Sequence, residues 1–544
     1  STGTATLTGL ANDWGTYSWS GTTGTLTAAK AGVLVTGGTT VSVTEAGGTI
    51  TSASSTSANS TAVQIGSAVN VSSAGSLTGT ETIRNLAINP TGDVTVTRVT
   101  PYTDADGLKN VRFGTGATDV YTNGASTVTV TGSGAVTIVD VGTTKLVPST
   151  GVASVAGTSK LATVNLAGLS GNASITSDAI TTVSVKDTLG TTAKKVTISN
   201  SGTAGVNAGS FNLQISNSGT SDSARFELDN ATATSLNISS ASATAYDKVG
   251  GAGSNGAQVA TSNSGSKSFI TLTTPKATSI TMTNTLPIDI GTVGGTTSGV
   301  QKVGVVNASG ATGAVTATIG AAQEAGMIFT GGSGKDSVTL TGDISVTSTT
   351  KVTTIALGAG DDKLLNSSAT TTFTGATFDG GDGNDTVAAS LITVGNASKF
   401  TSFEILGLDK GNGTSTDVTI LGGITGLSLL SAASGATATY TSVTQGQGLT
   451  VGATTAGGTT VLDFGSTVAA TTDAYTVTFG ATGATTAAGV STINAGTLSI
   501  EGIETVTIAS GGSGYTNNTI KLKDASARTL TITGNQTTDV SFDT

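Results

Sequence analysis

Three stretches of the 544-residue chain repeat one order of residue types: "GGSGKDSVT" at 331–339, "LGAGDDKLL" at 357–365 and "GGDGNDTVA" at 380–388. They align as glycine, any, glycine, any, aspartate, any, aliphatic, with Leu357 where the other two copies open on glycine. Glycine at 331, 332, 334, 358, 360, 380, 381 and 383 (Gly331, Gly332, Gly334, Gly358, Gly360, Gly380, Gly381, Gly383) permits the left-handed backbone that turns carbonyl oxygens inward. Asp336, Asp362 and Asp385 add carboxylates, and the aliphatic residue starts a short strand. Oxygen-only donors of this kind suit a hard cation, Ca2+, held between the loops of successive coils. Asp361 and Asp382 are extra ligand candidates and Asn384 a turn former, whereas Lys335 in the first copy departs from the pattern and weakens that site.

A fourth stretch, "YTDADGLKN" at 102–110, places Asp104 and Asp106 two apart before Gly107. Such a pair can clasp calcium from one loop, but the glutamate that closes an EF-hand-like loop is absent, so a plain turn and an ion site both stay open. The phrases "LTGTETI" at 77–83, "FTSFEIL" at 400–406 and "IEGIETV" at 500–506 repeat a glutamate (Glu81, Glu404, Glu504) before a strand start. These read as turns with a solvated glutamate in preference to ligands.

The elements that position these loops are strands. With 77 glycines, only 10% charged residues and a bulk of Thr, Ser, Ala and Val, the chain reads as many short strands with frequent reversals. Alternation is plain in "TVTV" at 127–130, "KVTIS" at 195–199, "SITMT" at 279–283 and "TLTIT" at 529–533. A longer frame recurs in "LATVNL", "ITTVSV", "ATSLNI", "ATSITM" and "VTTIAL", at loose multiples of about twenty residues. The expected fold is all-β: several β-solenoid or β-roll and β-sandwich-like units in series, with calcium-binding turns, the irregular repeat favouring shorter units over one rod. The divisions expected are 1–100, 101–325, 326–395 and 396–544. All five prolines lie at or before Pro287, which predicts a more regular stack afterwards. Trp14 and Trp19 predict a local N-terminal core.

The net charge of -10 and pI near 4.5 leave no basic stripe for nucleic acid. No apolar run approaches the roughly eighteen residues of a membrane span, so the chain reads as soluble; its opening on Ser1 fits a processed or partial product. Zero cysteine and zero histidine exclude thiolate or imidazole zinc sites, disulfides, and Ser-His or Cys-His nucleophiles.

The glycine-aspartate loops resemble the RTX calcium-binding repeat of bacterial proteins exported by type I secretion, over three copies within about sixty residues. The copies stand 26 and 23 residues apart where that repeat has nine, so each would serve one wider coil. With the Thr/Ser/Gly/Ala-rich strands, acidic pI and missing cysteine, the whole resembles RTX-type surface-layer proteins of Gram-negative bacteria. That resemblance implies a secreted, extracellular, non-enzymatic structural protein that assembles with itself, as lattice or fibre, in a calcium-dependent way, with cell-surface polysaccharide as a second partner. The alternatives are an adhesin or biofilm matrix protein on the same scaffold and, further off, a calcium-dependent polysaccharide lyase. The lyase would need acid, base and metal to converge in one cleft.

Overall fold

A strand that alternates threonine with valine, leucine or isoleucine presents one apolar and one hydroxyl-bearing face, and two such strands can close a core only by turning their apolar faces together. The computed structural model of the chain shows that arrangement throughout. It describes residues 125–542 apart from 141–145, 148–150, 153–158, 189–191, 201–208, 242–266, 296–297, 321–325, 345–351, 369–371, 410–413, 431–436, 453–457, 466–471, 481–491 and 512–516; before 125 it describes the backbone of strands between Thr4 and Thr122. Asp104, Asp106, Gly107, Glu81 and Trp14 lie outside the described residues. Trp19 falls in the strand Thr16–Ser20. The only helical segments among the described residues are single 3-10 turns such as Ala389–Leu391 and Ala397–Lys399.

The chain divides into two compact units, Ser1–Ala317 and Thr318–Thr544. In the first, the chain alternates between two parallel sheets. Thr127–Ser133, Thr163–Leu169, Thr182–Lys186, Ser210–Ser216, Ser235–Ser239 and Ser279–Met282 are neighbours in one, and Val136–Asp140, Ala173–Thr176, Lys194–Ser199, Phe226–Asn230 and Ser268–Thr273 in the other. Register stacks like on like: Val128, Val164, Val183, Leu213, Ile238 and Met282 form one buried column, one residue per coil. Beside it, Thr129, Asn165, Ser184 and Gln214 line up on the opposite face.

Pairing also explains the loose period. Thr163 pairs with Thr182, Thr182 with Asn212, and Ser235 with Ser279, so successive coils take up 19, 30 and 44 residues. The strands keep step while the connections differ in length, which a search for a fixed period cannot see. Antiparallel pairing of the kind a β-sandwich needs is confined, among the described residues, to the short pairs Thr16–Ser20 with Thr23–Thr27, Val94–Thr103 with Lys109–Phe113, and Leu146–Val147 with Gly151–Val152. Pro101 sits in the second of these, opposite Val111, where it interrupts no parallel ladder.

An arginine ties three coils of the first unit. The Arg225 guanidinium donates to the Ile270 carbonyl through Nε (3.0 Å) and Nη2 (2.8 Å), to the Asp289 carbonyl (2.9 Å) and to Asp289 Oδ1 (2.6 Å). Lys267 Nζ reaches Asp289 Oδ2 at 3.1 Å. Burial alone would raise the Asp289 carboxyl, but these two cations hold it below the usual carboxylate range. Replacing Arg225 by alanine removes the donor to two carbonyls and leaves the mostly buried Asp289 carboxylate with Lys267 as its one remaining cation, and should lower the urea-unfolding stability of this unit by roughly 2–4 kcal/mol. Lys195→Ala, which removes pairs to Glu227 (3.1 Å) and Asp229 (2.7 Å) at a more exposed site, should cost less than about 1 kcal/mol. Equal losses in the two variants would refute the stapling role.

The second unit repeats the plan. Ile328–Thr330, Thr353–Ala356, Ala376–Asp379 and Phe400–Thr401 form one parallel ladder, continued from Thr414–Asp417 to Thr537–Phe542 by a separate one. The facing sheet runs from Ser337–Leu340 through Lys363–Asn366, Thr386–Ala388 and Ile405–Leu408 to Thr529–Gly534. Val338, Leu364, Val387, Leu406, Leu427, Leu449, Val477 and Ile508 form a buried column in it. Opposite stand Phe329, Ile355, Phe378 and Phe400, the last two rings stacked with centroids 4.8 Å apart, about the spacing of neighbouring strands.

Candidate functional site: a column of stacked acidic turns

Each glycine-aspartate stretch occupies the same corner of its coil, between a strand of the first ladder and a strand of the facing sheet. The pairing registers of the flanking strands therefore set the three loops one on another. Gly331 N–H donates to the Ala356 carbonyl (2.8 Å), and Ala359 N–H donates to the Gly332 carbonyl (2.8 Å). Gly360 N–H donates to the Asp382 carbonyl and Asp382 N–H to the Gly358 carbonyl, both at 2.8 Å. Gly380 N–H reaches the Thr401 carbonyl at 3.0 Å.

Glycine is demanded twice over at 381 and 383. Both have positive φ, +102° and +150°, and a Cβ on either would lie 1.8 Å from a carbonyl oxygen of the loop next to it, that of Gly358 or Gly360. Gly358 and Gly360 share the positive φ, and a Cβ on Gly360 would meet the Gly334 carbonyl at 2.6 Å. The glycines expected to free carbonyls for an ion thus also let the loops approach closely enough to bond each other.

The three aspartates expected as ligands come together as a column, fully or almost fully buried. Asp336 N–H donates to Asp362 Oδ1 (2.6 Å), and Asp362 N–H donates to Asp385 Oδ1 (2.8 Å). Asp336 Oδ2 accepts from the Gly332 N–H of its own loop at 3.0 Å. The second oxygens of Asp362 and Asp385 are buried without a hydrogen-bond partner. Burial pushes the Asp362 carboxyl up to about 7, with the neighbouring Asp336, Asp385 and Asp361 carboxylates adding to the rise. Asp385 is pushed up to about 6 by burial, then by Glu404, Asp361 and Asp379. The outer candidates lie differently: Asp361 is half exposed, its Oδ2 2.5 Å from Lys335 Nζ, and this lysine and the Asn384 N–H hold its carboxyl below the usual range. Asp382 is exposed.

One member of the column is missing from the motif. Asp385 N–H donates to Glu404 Oε2 at 2.9 Å, so a glutamate on the next coil, with no glycine turn of its own, continues the sequence of carboxylates. Glu504 does the same for the Asp473 N–H at 3.0 Å. Both stand directly before a strand and are partly exposed, as expected of turn glutamates, and each carboxylate in addition caps a backbone amide of the preceding coil, which glutamate reaches with its extra methylene. Their shared phrase before a strand was the available signal.

Among the described residues no three acidic side chains converge as a ready-made metal cage. Two partnerless buried oxygens in a column of like charges are nonetheless the arrangement that a hard cation compensates, with loop carbonyls as further donors. The donors present, all oxygen and with thiolate and imidazole absent from the chain, fit calcium. Compared with known proteins, the chain matches no family model and no curated protein.

Proposed function

We propose that the chain is a structural, extracellular protein whose β-solenoid is stabilised by calcium and which assembles with copies of itself into a surface lattice or fibre. The observation that carries this is the buried column Asp336, Asp362, Asp385, two of whose carboxylates keep an oxygen without partner. Without a cation these charges repel in a poorly solvated corner; with one, binding free energy becomes folding free energy. Asp336, Asp362 and Asp385 would hold calcium between successive loops, together with carbonyls of the stacked glycines. Calcium there neutralises charge and does no bond chemistry. A site saturated a hundredfold above its Kd adds about 2.7 kcal/mol to stability, and extracellular modules of this kind bind at roughly 0.1–1 mM.

The resemblance to RTX surface-layer proteins agrees with both halves of the proposal.

The test is to heat the purified chain in millimolar calcium and in excess chelator while imaging both samples by electron microscopy. Calcium should raise the melting temperature of the second unit and produce ordered assemblies that chelator dissolves. Identical melting and identical images in the two buffers would overturn the proposal.

A further inference from the structure

Three stacked loops enclose two gaps, and the two are not alike. The first lies between 331–336 and 357–362, the second between 357–362 and 380–385. Inner carboxylates flank both: Asp336 and Asp362 the first, Asp362 and Asp385 the second, each fully or almost fully buried. Beyond these, residue types diverge. At the motif position before the inner aspartate stand Lys335, Asp361 and Asn384, and two positions earlier stand Ser333, Ala359 and Asp382. The first gap therefore carries an ammonium group, Lys335 Nζ, set 2.5 Å from Asp361 Oδ2. Neither loop of the second gap contains a basic residue, and Asp382 adds a further carboxylate. Lys363, which opens the strand after the second loop, forms no ion pair among the described residues.

Two buried carboxylate oxygens of the column have nothing to accept, Asp362 Oδ2 and Asp385 Oδ2, and the loop that carries Asp362 borders both gaps. The Asp362 carboxylate spans the first gap to the Asp336 N–H and the Asp385 carboxylate spans the second to the Asp362 N–H, while Asp336 Oδ2 takes the Gly332 N–H of its own loop at 3.0 Å. We infer that Lys335 is a built-in counter-ion for the first gap, so that calcium enters the second gap and not the first. This rests on the calcium-stabilised solenoid proposed above.

The physics is a matter of charge and site occupancy. A lysine ammonium a few ångströms from a divalent ion repels it, and its pairing with Asp361 engages an outer oxygen that the ion would otherwise recruit. Together these weaken calcium in the first gap by roughly a hundredfold, to a Kd on the order of 10–100 mM, enough to leave it largely empty at millimolar calcium. An exposed ion pair of this kind contributes little to stability, so removing Lys335 leaves a folded protein in which to ask the question.

The experiment is calcium chloride titration of the full chain by isothermal calorimetry after chelator treatment and dialysis, with Lys335→Asn and Lys335→Arg beside the wild type and circular dichroism as the check on folding. Lys335→Asn should bind one more calcium ion per chain than the wild type, while Lys335→Arg, which keeps the charge, should bind the same number as the wild type. A folded Lys335→Asn chain that binds no more calcium than a calcium-binding wild type overturns the counter-ion inference alone. A wild type that binds no calcium overturns the parent proposal and this inference with it.

Discussion

Gly381→Ala should cost the second unit at least about 3 kcal/mol, as a lower denaturant midpoint in urea. The new methyl would lie 1.8 Å from the Gly358 carbonyl oxygen and 2.8 Å from its carbon, and φ of +102° is hostile to any residue with a Cβ. Backbone cannot rotate aside as a side chain would, so the third loop must lift off the second, breaking the Asp382 N–H to Gly358 bond and drawing Asp385 away from the Asp362 N–H. Gly422→Ala is the control in the same unit. A Cβ there meets nothing within 4 Å, so the change should stay within about 0.5 kcal/mol. If both variants unfold at the same urea concentration, the loops do not stack as closely as described.

The second large effect is on the pH dependence of the calcium-free chain. Asp362 and Asp385 titrate near 7 and 6 in the folded protein, and near the ordinary 3.8 once unfolded. Above pH 7 both states are ionised, and the folded one carries the full cost of its buried charges. As pH falls through 7 and then 6 the folded chain takes up protons that the unfolded chain does not bind until near 3.8. Stability in chelator should therefore rise on acidification from pH 8 to about 5, by roughly 1.4 kcal/mol per pH unit for each proton involved. Saturating calcium should flatten or reverse the trend, because protons then compete with the ion for the same oxygens. Denaturation midpoints at several pH values, with and without calcium, decide the matter; a calcium-free midpoint that falls steadily on acidification would contradict the buried column. Substituting both residues, Asp362→Asn with Asp385→Asn, should abolish the dependence.

The alternation of threonine with valine and isoleucine made the strands legible, because a strand needs no information beyond its own five or six residues to expose two faces. The glycine-aspartate loops were legible for a similar reason: φ demands and carboxylate placement are local. What the sequence could not disclose was register. Whether Ser235 stacks on a residue 25, 30 or 44 positions along depends on the length of the connections, and no local pattern encodes that. Arg225 went unnoticed because its partners are 45 and 64 residues away. Glu404 stands before a strand as its phrase promised, but its partner was not legible: only the pairing of Thr386 with Ile405 brings its carboxylate to the Asp385 amide.

The carboxylate column has a direction. In every rung the amide belongs to the earlier coil and the carboxylate to the later one, from Asp336 through Asp362 and Asp385 to Glu404. A stretch excised to carry the three glycine loops alone, cut just after Ala388, would leave the Asp385 amide without its acceptor in the corner where the ion is meant to sit. The smallest autonomous piece of this scaffold is therefore set by a glutamate outside the repeat, and transplanting the loops into another protein means carrying the chain past residue 404.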